Sequence, residues 1–449
     1  MDLPIAFIDK MKDLLGNEAE SFFASLAEPS QKAITVNFSR IDKRTFESLA
    51  DFDIQPIEAV ENAYYTENLK VGSHIFNHLG LIYSQEPSAM LPVEMLDIEK
   101  GDFVLDISAA PGGKSIQILE KLDNTGILVS NEIVYNRAKI LYENLSRMGF
   151  RNFAITNNSP ADFEKTNLKF DKILVDAPCG GEGMIRKNNF DTDAFKWSNI
   201  ETNAKRQLSI LNSVKELLRA GGRLVYSTCT YDIKENEGVI AEFLKDNPNF
   251  KIIKPDTKFD TVTTDGIKLE GFDTQYSKRR YPHKHTGEGQ FMAILVKDGN
   301  EEIELEDFNS YNIAPVYRKD MHDIEREIKS VVDLKGLNLL KRNETIFVTP
   351  DIPMDFGKLN LVTVGTVFGN LNKSTFKINH NFYHTYADRF ANIIDLDDIQ
   401  VNKYLHGEEI DIDDNISGIA SITHKGIALG GGKAVGGKLK NYYPKELRI

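Results

Sequence analysis

Between residues 101 and 232 the chain alternates unbroken apolar runs with stretches where apolar residues return every three or four positions. The runs are FVLDI (103–107), ILVSN (127–131), FAITN (153–157), KILVDA (172–177) and RLVYST (223–228). Unbroken runs of this length suit strands covered on both faces. Ala138, Leu141, Leu145 and Met148 predict a helix that Gly149 stops. Leu208, Leu211, Val214 and Leu218 predict a second, stopped by Gly221-Gly222. The alternation predicts an α/β fold with a doubly wound parallel sheet and right-handed crossovers. FMAILVKD (291–298) reads as a further strand closing it.

The pattern is different on either side. Residues 1–20 mix acids and lysines with apolar residues, which predicts an amphipathic helix. AITVNF (33–38) reads as a strand, as do TIFVTP (345–350) and LVTVGTVFGNL (361–371). The acidic stretch 298–310 is the linker candidate. The expected division is 1–95, 96–298, 299–390 and 391–449.

Composition narrows the class. Hydrophobic residues make up 41% and charged residues 27% of the 449, as in globular chains of several domains. No apolar run approaches the ~20 residues of a membrane span, so no membrane is expected as a partner. Two cysteines cannot staple a chain of this size, which points to a reducing, cytoplasmic location. The net charge of -13 argues against indiscriminate nucleic-acid binding but hides local clusters. Basic residues gather in KRRYPHKH (278–285), and residues 415–449 hold six Lys or Arg against one acid, Glu446. That end reads either as a solvated tail or, with Tyr442, Tyr443 and Leu447 among its charges, as a binding segment.

LDISAAPGGKS (105–115) follows the first strand and opens a helix. In doubly wound sheets this turn is a usual ligand site, and small residues there admit a ligand to the backbone. A bulky residue at Gly112 or Gly113 is expected to block that approach. A phosphate-binding P-loop would need glycine where Ser108 stands, so a nucleoside-triphosphatase reading loses its support. Glu132, at the end of the second strand, is placed to hold ribose hydroxyls. An adenosine-containing cofactor fits both features; two ordinary tight turns are the plainer alternative.

Cys179 and Cys229 each follow a strand, in ILVDAPC and LVYSTC. Adjacent fourth and fifth strands would bring both thiols to the edge that carries the cofactor turn. Free cysteines are commonly buried small hydrophobes, but these lie beyond their strands. No His or Cys stands nearby at metal-ligand spacing, so no metal is expected. A nucleophilic role fits better. Methylation at C5 of a pyrimidine needs such a group: a thiolate adding to C6 makes C5 electron-rich, and an acid at N3 favours the addition. A second thiol would assist its release. This chemistry does not say which cysteine attacks.

The chain resembles the NOL1/NOP2/Sun family of RNA cytosine-C5 methyltransferases. The resemblance lies in DISAAPGGKS, DAPCGGEGMIRK and YSTCTYDIKENE, with GLIYSQEPSAMLPV (80–93) and RRYPHKHTGEGQFMA (279–293), over about residues 1–297. GGKAVGGKLKNYYPKELR resembles the PUA-like end of the branch acting on 16S ribosomal RNA. The resemblance implies a Rossmann-like class I methyltransferase core, a small α+β N-terminal domain and a C-terminal PUA-like RNA-binding domain. It implies Cys229 as nucleophile, Cys179 as the thiol for release, Asp176 at the target base and Lys114 in support. Ala109, Ala110, Pro111, Gly112, Gly113, Lys114, Ser115, Glu132 and Asp176 would line an S-adenosylmethionine pocket. The family often has an acid where Ser159 stands. The implied substrate is RNA, 16S ribosomal RNA or the small ribosomal subunit, acted on by a monomer. Transfer RNA methylation, and a non-catalytic RNA-binding assembly factor on this fold, are the alternatives.

Overall fold

The computed structural model describes residues 3–186 and 199–449; Lys187, the last residue of the DAPCGGEGMIRK segment, lies outside them. Helix α1 (Ile5–Leu15) buries Phe7 and Met11. Strand β1 (Ala33–Val36) belongs to a four-stranded antiparallel sheet with 54–56, 63–66 and 82–84. The main sheet has ten strands among the described residues. Its parallel part comprises β2 (Phe103–Asp106), β3 (Ile127–Asn131), β4 (Phe153–Thr156), β5 (Phe170–Asp176) and β6 (Leu218–Thr228). The order β4-β3-β2-β5-β6 is completed by β7 (Gln290–Lys297), antiparallel to β6. Helices α2 (Gly113–Leu122), α3 (Tyr135–Met148) and α4 (Ile200–Val214) cover it. The apolar runs are strands because both faces are covered: Leu105, Val129, Ala154, Ile173 and Leu224 are all fully buried.

Several expectations need correction. Helix α4 ends at Val214, and Gly221-Gly222 lie inside β6 instead of stopping it. Leu217 and Leu218 are needed in the core, and Leu218 already pairs with Phe170. A side chain at Gly222 would meet the Asp171 carbonyl at 2.8 Å.

The acidic stretch after 298 is strapped to the core at its start. Glu301 donates its N–H to Ala220 O at 3.0 Å and accepts the Ala220 N–H at 2.9 Å, which lowers its carboxyl pKa. Beyond it, β8 (Leu361–Val364) pairs with β4 and widens the main sheet, while β9 (Thr366–Asn372) joins a separate five-stranded sheet. One sequence run, LVTVGTVFGNL, thus serves two sheets. The positive φ of Gly365 makes the break, where a side chain would meet Val348 O.

The basic cluster at 278 is internal. Lys278 pairs with Asp260 and Asp265, and Arg279 with Glu237, at exposures of 2% or less for the three basic residues 278–280. The C-terminal 35 residues are no tail. Strands 418–424, 427–435 and 438–441 form a sheet with 393–396 and 410–411. Its core merges with that of the N-terminal sheet: Ile34, Phe46 and Phe76 pack with Leu396, Tyr404 and Leu429 in one cluster. Tyr443 is buried there, 2.8 Å from His78 Nδ1, so of the two neighbouring tyrosines Tyr442 alone keeps an exposed face.

Candidate active site

The direction of winding reverses between β2 and β5, and ligands of doubly wound sheets sit at the strand ends there. A cavity of about 460 Å³ opens at this point, within the usual range for ligand sites. Its walls include Ala110, Glu132, Asp176, Cys179 and Cys229. Asn131, Ile133, Arg137, Ser159 and Ile210 line it too. The acids Glu132 and Asp176 and the apolar Ile133 and Ile210 suit a ligand that is part sugar and part heterocycle, so an adenosine cofactor fits the donor set.

Of the predicted cofactor turn, Ala110 faces this cavity. Ala109 donates to Asn131 O at 2.9 Å, joining the turn to β3. Pro111 is exposed, and Asn144 of α3 holds its carbonyl at 2.8 Å. Arg137 holds the Ala110 carbonyl at 2.7 Å and lies 3.4 Å from Glu132. Gly112 has a φ of +116°, open to glycine and strained for other residues, and a side chain there would meet Leu141 at 3.0 Å. A side chain at Gly113 would meet Tyr83 at 3.1 Å and Gln85 at 3.2 Å. These glycines also admit α3 and the N-terminal sheet at close range. Ser115 points inward, donating to Asp106 at 2.7 Å and lying 3.0 Å from the Ser130 hydroxyl. Burial pushes Asp106 up to about 7 against the Ser115 hydrogen bond. Ser159 caps a short helix in a capping box with Asp162.

Lys114 and Asp176 meet at 2.7 Å, and Ser227 donates to the other Asp176 oxygen at 2.6 Å. Burial opposes the Lys114 charge, but Asp176, Asp106 and Cys229 outweigh it and its pKa is raised. Adjacent β5 and β6, in register Asp176 with Ser227, bring the two thiols to 3.3 Å. Both are half-buried. The Cys179 thiol is pushed well above its ordinary range, first by the hydrogen bond to Cys229, then by burial, with the Glu235 charge adding to it. Lys114 lies on the Cys229 side of the pair and Glu235 on the Cys179 side. The two thiols thus stand in unequal electrostatic surroundings.

Sequence reasoning missed the groups that hold these loops. Glu182 and Glu235 stand inside the quoted cysteine motifs, and Gln207 sits on α4. A glutamate a few residues past each cysteine was the available signal. Among the described residues no group of three or more His, Cys, Asp or Glu could hold a metal ion, and no helix is long and apolar enough to cross a membrane.

A five-stranded parallel core with an antiparallel strand beside its last member and a cavity at the switch point is the architecture of a class I methyltransferase. Residues 93–296 match the family model described as 16S rRNA methyltransferase RsmB/F. Residues 3–87 match the N-terminal domain of 16S rRNA methyltransferase RsmF, and 391–449 the methyltransferase RsmF PUA domain. The chain belongs to the RsmB/F methyltransferase family. It is 32% identical to the ribosomal RNA small subunit methyltransferase F of Psychromonas ingrahamii, over 99% of this chain and 97% of that protein. It is 31% identical to that of Shewanella oneidensis, over 95% and 93%. Among solved structures, a methyltransferase homolog protein from Pyrococcus horikoshii aligns at TM-score 0.57 and 28% identity, over 65% of this chain and 94% of that one. NSun6 from Pyrococcus horikoshii with SFG aligns at TM-score 0.57 and 21% identity, over 66% and 99%, a likeness of fold.

Proposed function

We propose that this protein methylates C5 of a cytosine in 16S ribosomal RNA, within the small subunit or its precursor, using S-adenosylmethionine. The observation that carries the reading is the thiol pair at 3.3 Å beside the Lys114–Asp176 pair. Cytosine C5 is too weak a nucleophile to be methylated unaided, and a thiolate adding at C6 corrects this. When bound, the cofactor supplies an electrophilic methyl group to the C5 so activated. Cys229 adds to C6, with the Lys114 cation on its side of the thiol pair. Asp176, fixed by Lys114 and Ser227, meets N3 of the base and passes it a proton drawn from Lys114 as negative charge develops there, taking it back when the ring double bond re-forms. Cys179 then gives its proton to the departing Cys229 thiolate and takes the C5 proton in its place, the ring double bond re-forms, and the surplus proton leaves to solvent. Glu132 and the walls around Ala110 and Ile133 hold the adenosine part. The names of the relatives support 16S ribosomal RNA over transfer RNA as substrate.

The test is bisulfite mapping of ribosomal RNA from cells with and without the protein. A 16S cytosine that is resistant in the first and converted in the second is expected. Identical 16S maps, with a difference confined to transfer RNA, would overturn the substrate assignment.

A further inference from the structure

Each thiol is held in place by the loop of the other. After β5 the chain runs Ala177-Pro178-Cys179-Gly180-Gly181-Glu182, and after β6 it runs from Cys229 to Glu235. Glu182 accepts from Thr230 Oγ1 at 3.0 Å and Tyr231 N at 3.1 Å, and Gly183 N donates to Cys229 O at 2.8 Å. In the other direction, Glu235 Oε2 accepts the Gly180 N–H at 3.0 Å and Gln207 Nε2 at 2.7 Å. The same Gln207 nitrogen donates to Pro178 O at 3.0 Å. The carbonyl before Cys179 and the N–H after it are thus both tied to one carboxylate–amide pair. Gln207 and Glu235 are 0% and 1% exposed. A side chain at Gly180 would sit 2.9 Å from Glu235 Oε1, so the carboxylate lies flush against this backbone.

Nothing about packing requires a carboxylate here. Burying one is costly unless its charge or its hydrogen bonds are used. Two N–H donors make the ionised form the one that closes the clamp, because a protonated carboxyl offers a weaker acceptor. Burial nevertheless pushes Glu235 up to about 7 against the Gln207 and Gly180 hydrogen bonds. The acids Asp232 and Glu182 add in the same direction. Among the described residues, the other titratable or charged groups around the clamp include the Cys179 thiol, exposed Arg206 of α4, whose guanidinium lies 3.5 Å from Pro178 O, and Lys10 of α1, which pairs with both Glu182 and Asp232.

The geometry points to Glu235 and Gln207 as positioning residues for Cys179, a clamp that sets this thiol where it can assist expulsion of Cys229 from the methylated base. The inference rests on the function proposed above and deepens it. Glu235 touches no substrate atom in this role; it acts through the 178–180 backbone. Its loss should therefore resemble loss of Cys179 and not loss of Cys229.

The experiment uses the full chain, S-adenosylmethionine, and small ribosomal subunits from cells lacking the protein. Wild type, Cys179→Ala, Glu235→Gln and Gln207→Met are compared for kcat, KM, cofactor affinity and covalent RNA adduct on denaturing gels. Misplacing a catalytic group by about 1 Å costs about 100-fold, so kcat should fall by about that much in Glu235→Gln. KM for the subunits should not change, and an S-adenosylmethionine-dependent adduct should accumulate, with a weaker version in Gln207→Met. In wild type, kcat should rise with pH through about 7 as Glu235 ionises, and Glu235→Gln should lose that rise. Unaltered cofactor affinity separates positioning from misfolding. Wild-type turnover in both variants would overturn the clamp, and so would a fall in kcat without adduct while Cys179→Ala gives one. Failure of the wild type to methylate subunits would instead overturn the function itself.

Discussion

The sulfur of Cys179 lies 3.3 Å from that of Cys229, fifty residues away in the chain. Two parallel neighbours, β5 and β6, end in the same register and turn their next residues over one cavity. The contact makes the thiols a hydrogen-bonded pair, and the surrounding charges differ at its two ends.

Unequal surroundings predict unequal mutants. Cys229→Ala should be inactive and release RNA on denaturation. Cys179→Ala should accumulate a covalent complex that needs S-adenosylmethionine and disappears when Cys229 is also replaced. Denaturing electrophoresis with labelled RNA reads this directly; an adduct in Cys229→Ala alone would exchange the two roles.

Lys114 is held by Asp176 and in turn fixes it at 2.7 Å. Lys114→Met leaves the carboxylate with Ser227 as its remaining partner and removes the cation beside Cys229. Single-turnover methylation should slow by about 100- to 1,000-fold, the range for losing one preorganised electrostatic group. RNA affinity, measured by filter binding, should hold. A comparable fall in affinity would mean that Lys114 serves binding.

Gly113 faces Tyr83 and Gln85. Gly113→Leu should therefore loosen the seam between the N-terminal sheet and α2, lowering the melting temperature together with cofactor affinity. An unchanged melting temperature with lost binding in calorimetry would support the direct-approach explanation.

Asp106 carries a pH signature. Its folded pKa is raised from 3.8 to about 7, so the folded state binds the proton more tightly than the unfolded chain. Its contribution is complete below about 4, is lost as pH rises, and is gone above about 7. The loss is on the order of 4 kcal/mol. Asp106→Asn should gain stability relative to wild type across that window. Denaturant melts at several pH values check it, and a constant difference between the two proteins would refute the assignment.

The C-terminal sheet shares a core with the N-terminal one, so a chain ending near 414 would expose that core and should not be used to probe RNA binding. Lys433 and Lys440 are exposed and face each other across the paired strands 427–435 and 438–441. If they meet phosphates, replacing each with Ala should lower the salt slope of RNA affinity by about 0.7 to 0.9 without changing stability. An unchanged slope would place the RNA on another face.

The five parallel strands, the turn after the first and the strand-end cysteines were legible because each is a local signal. A strand covered on both faces must be apolar throughout, and a loop that carries chemistry must interrupt that run. What each charged or small residue touches was not legible. KRRYPHKH reads as a basic patch, yet Lys278 and Arg279 meet acids from distant segments inside the protein. LVTVGTVFGNL reads as a single apolar stretch, yet its halves join different sheets. The mutual clamping by Glu182 and Glu235 depends on strand register, which sequence periodicity does not specify. The sequence by itself determined the fold class and the chemical groups at the strand ends, because burial and reactivity are written residue by residue. Tertiary structure alone decided what surrounds each thiol and what holds it in place, because that turns on distances of a few ångströms between residues far apart in the chain.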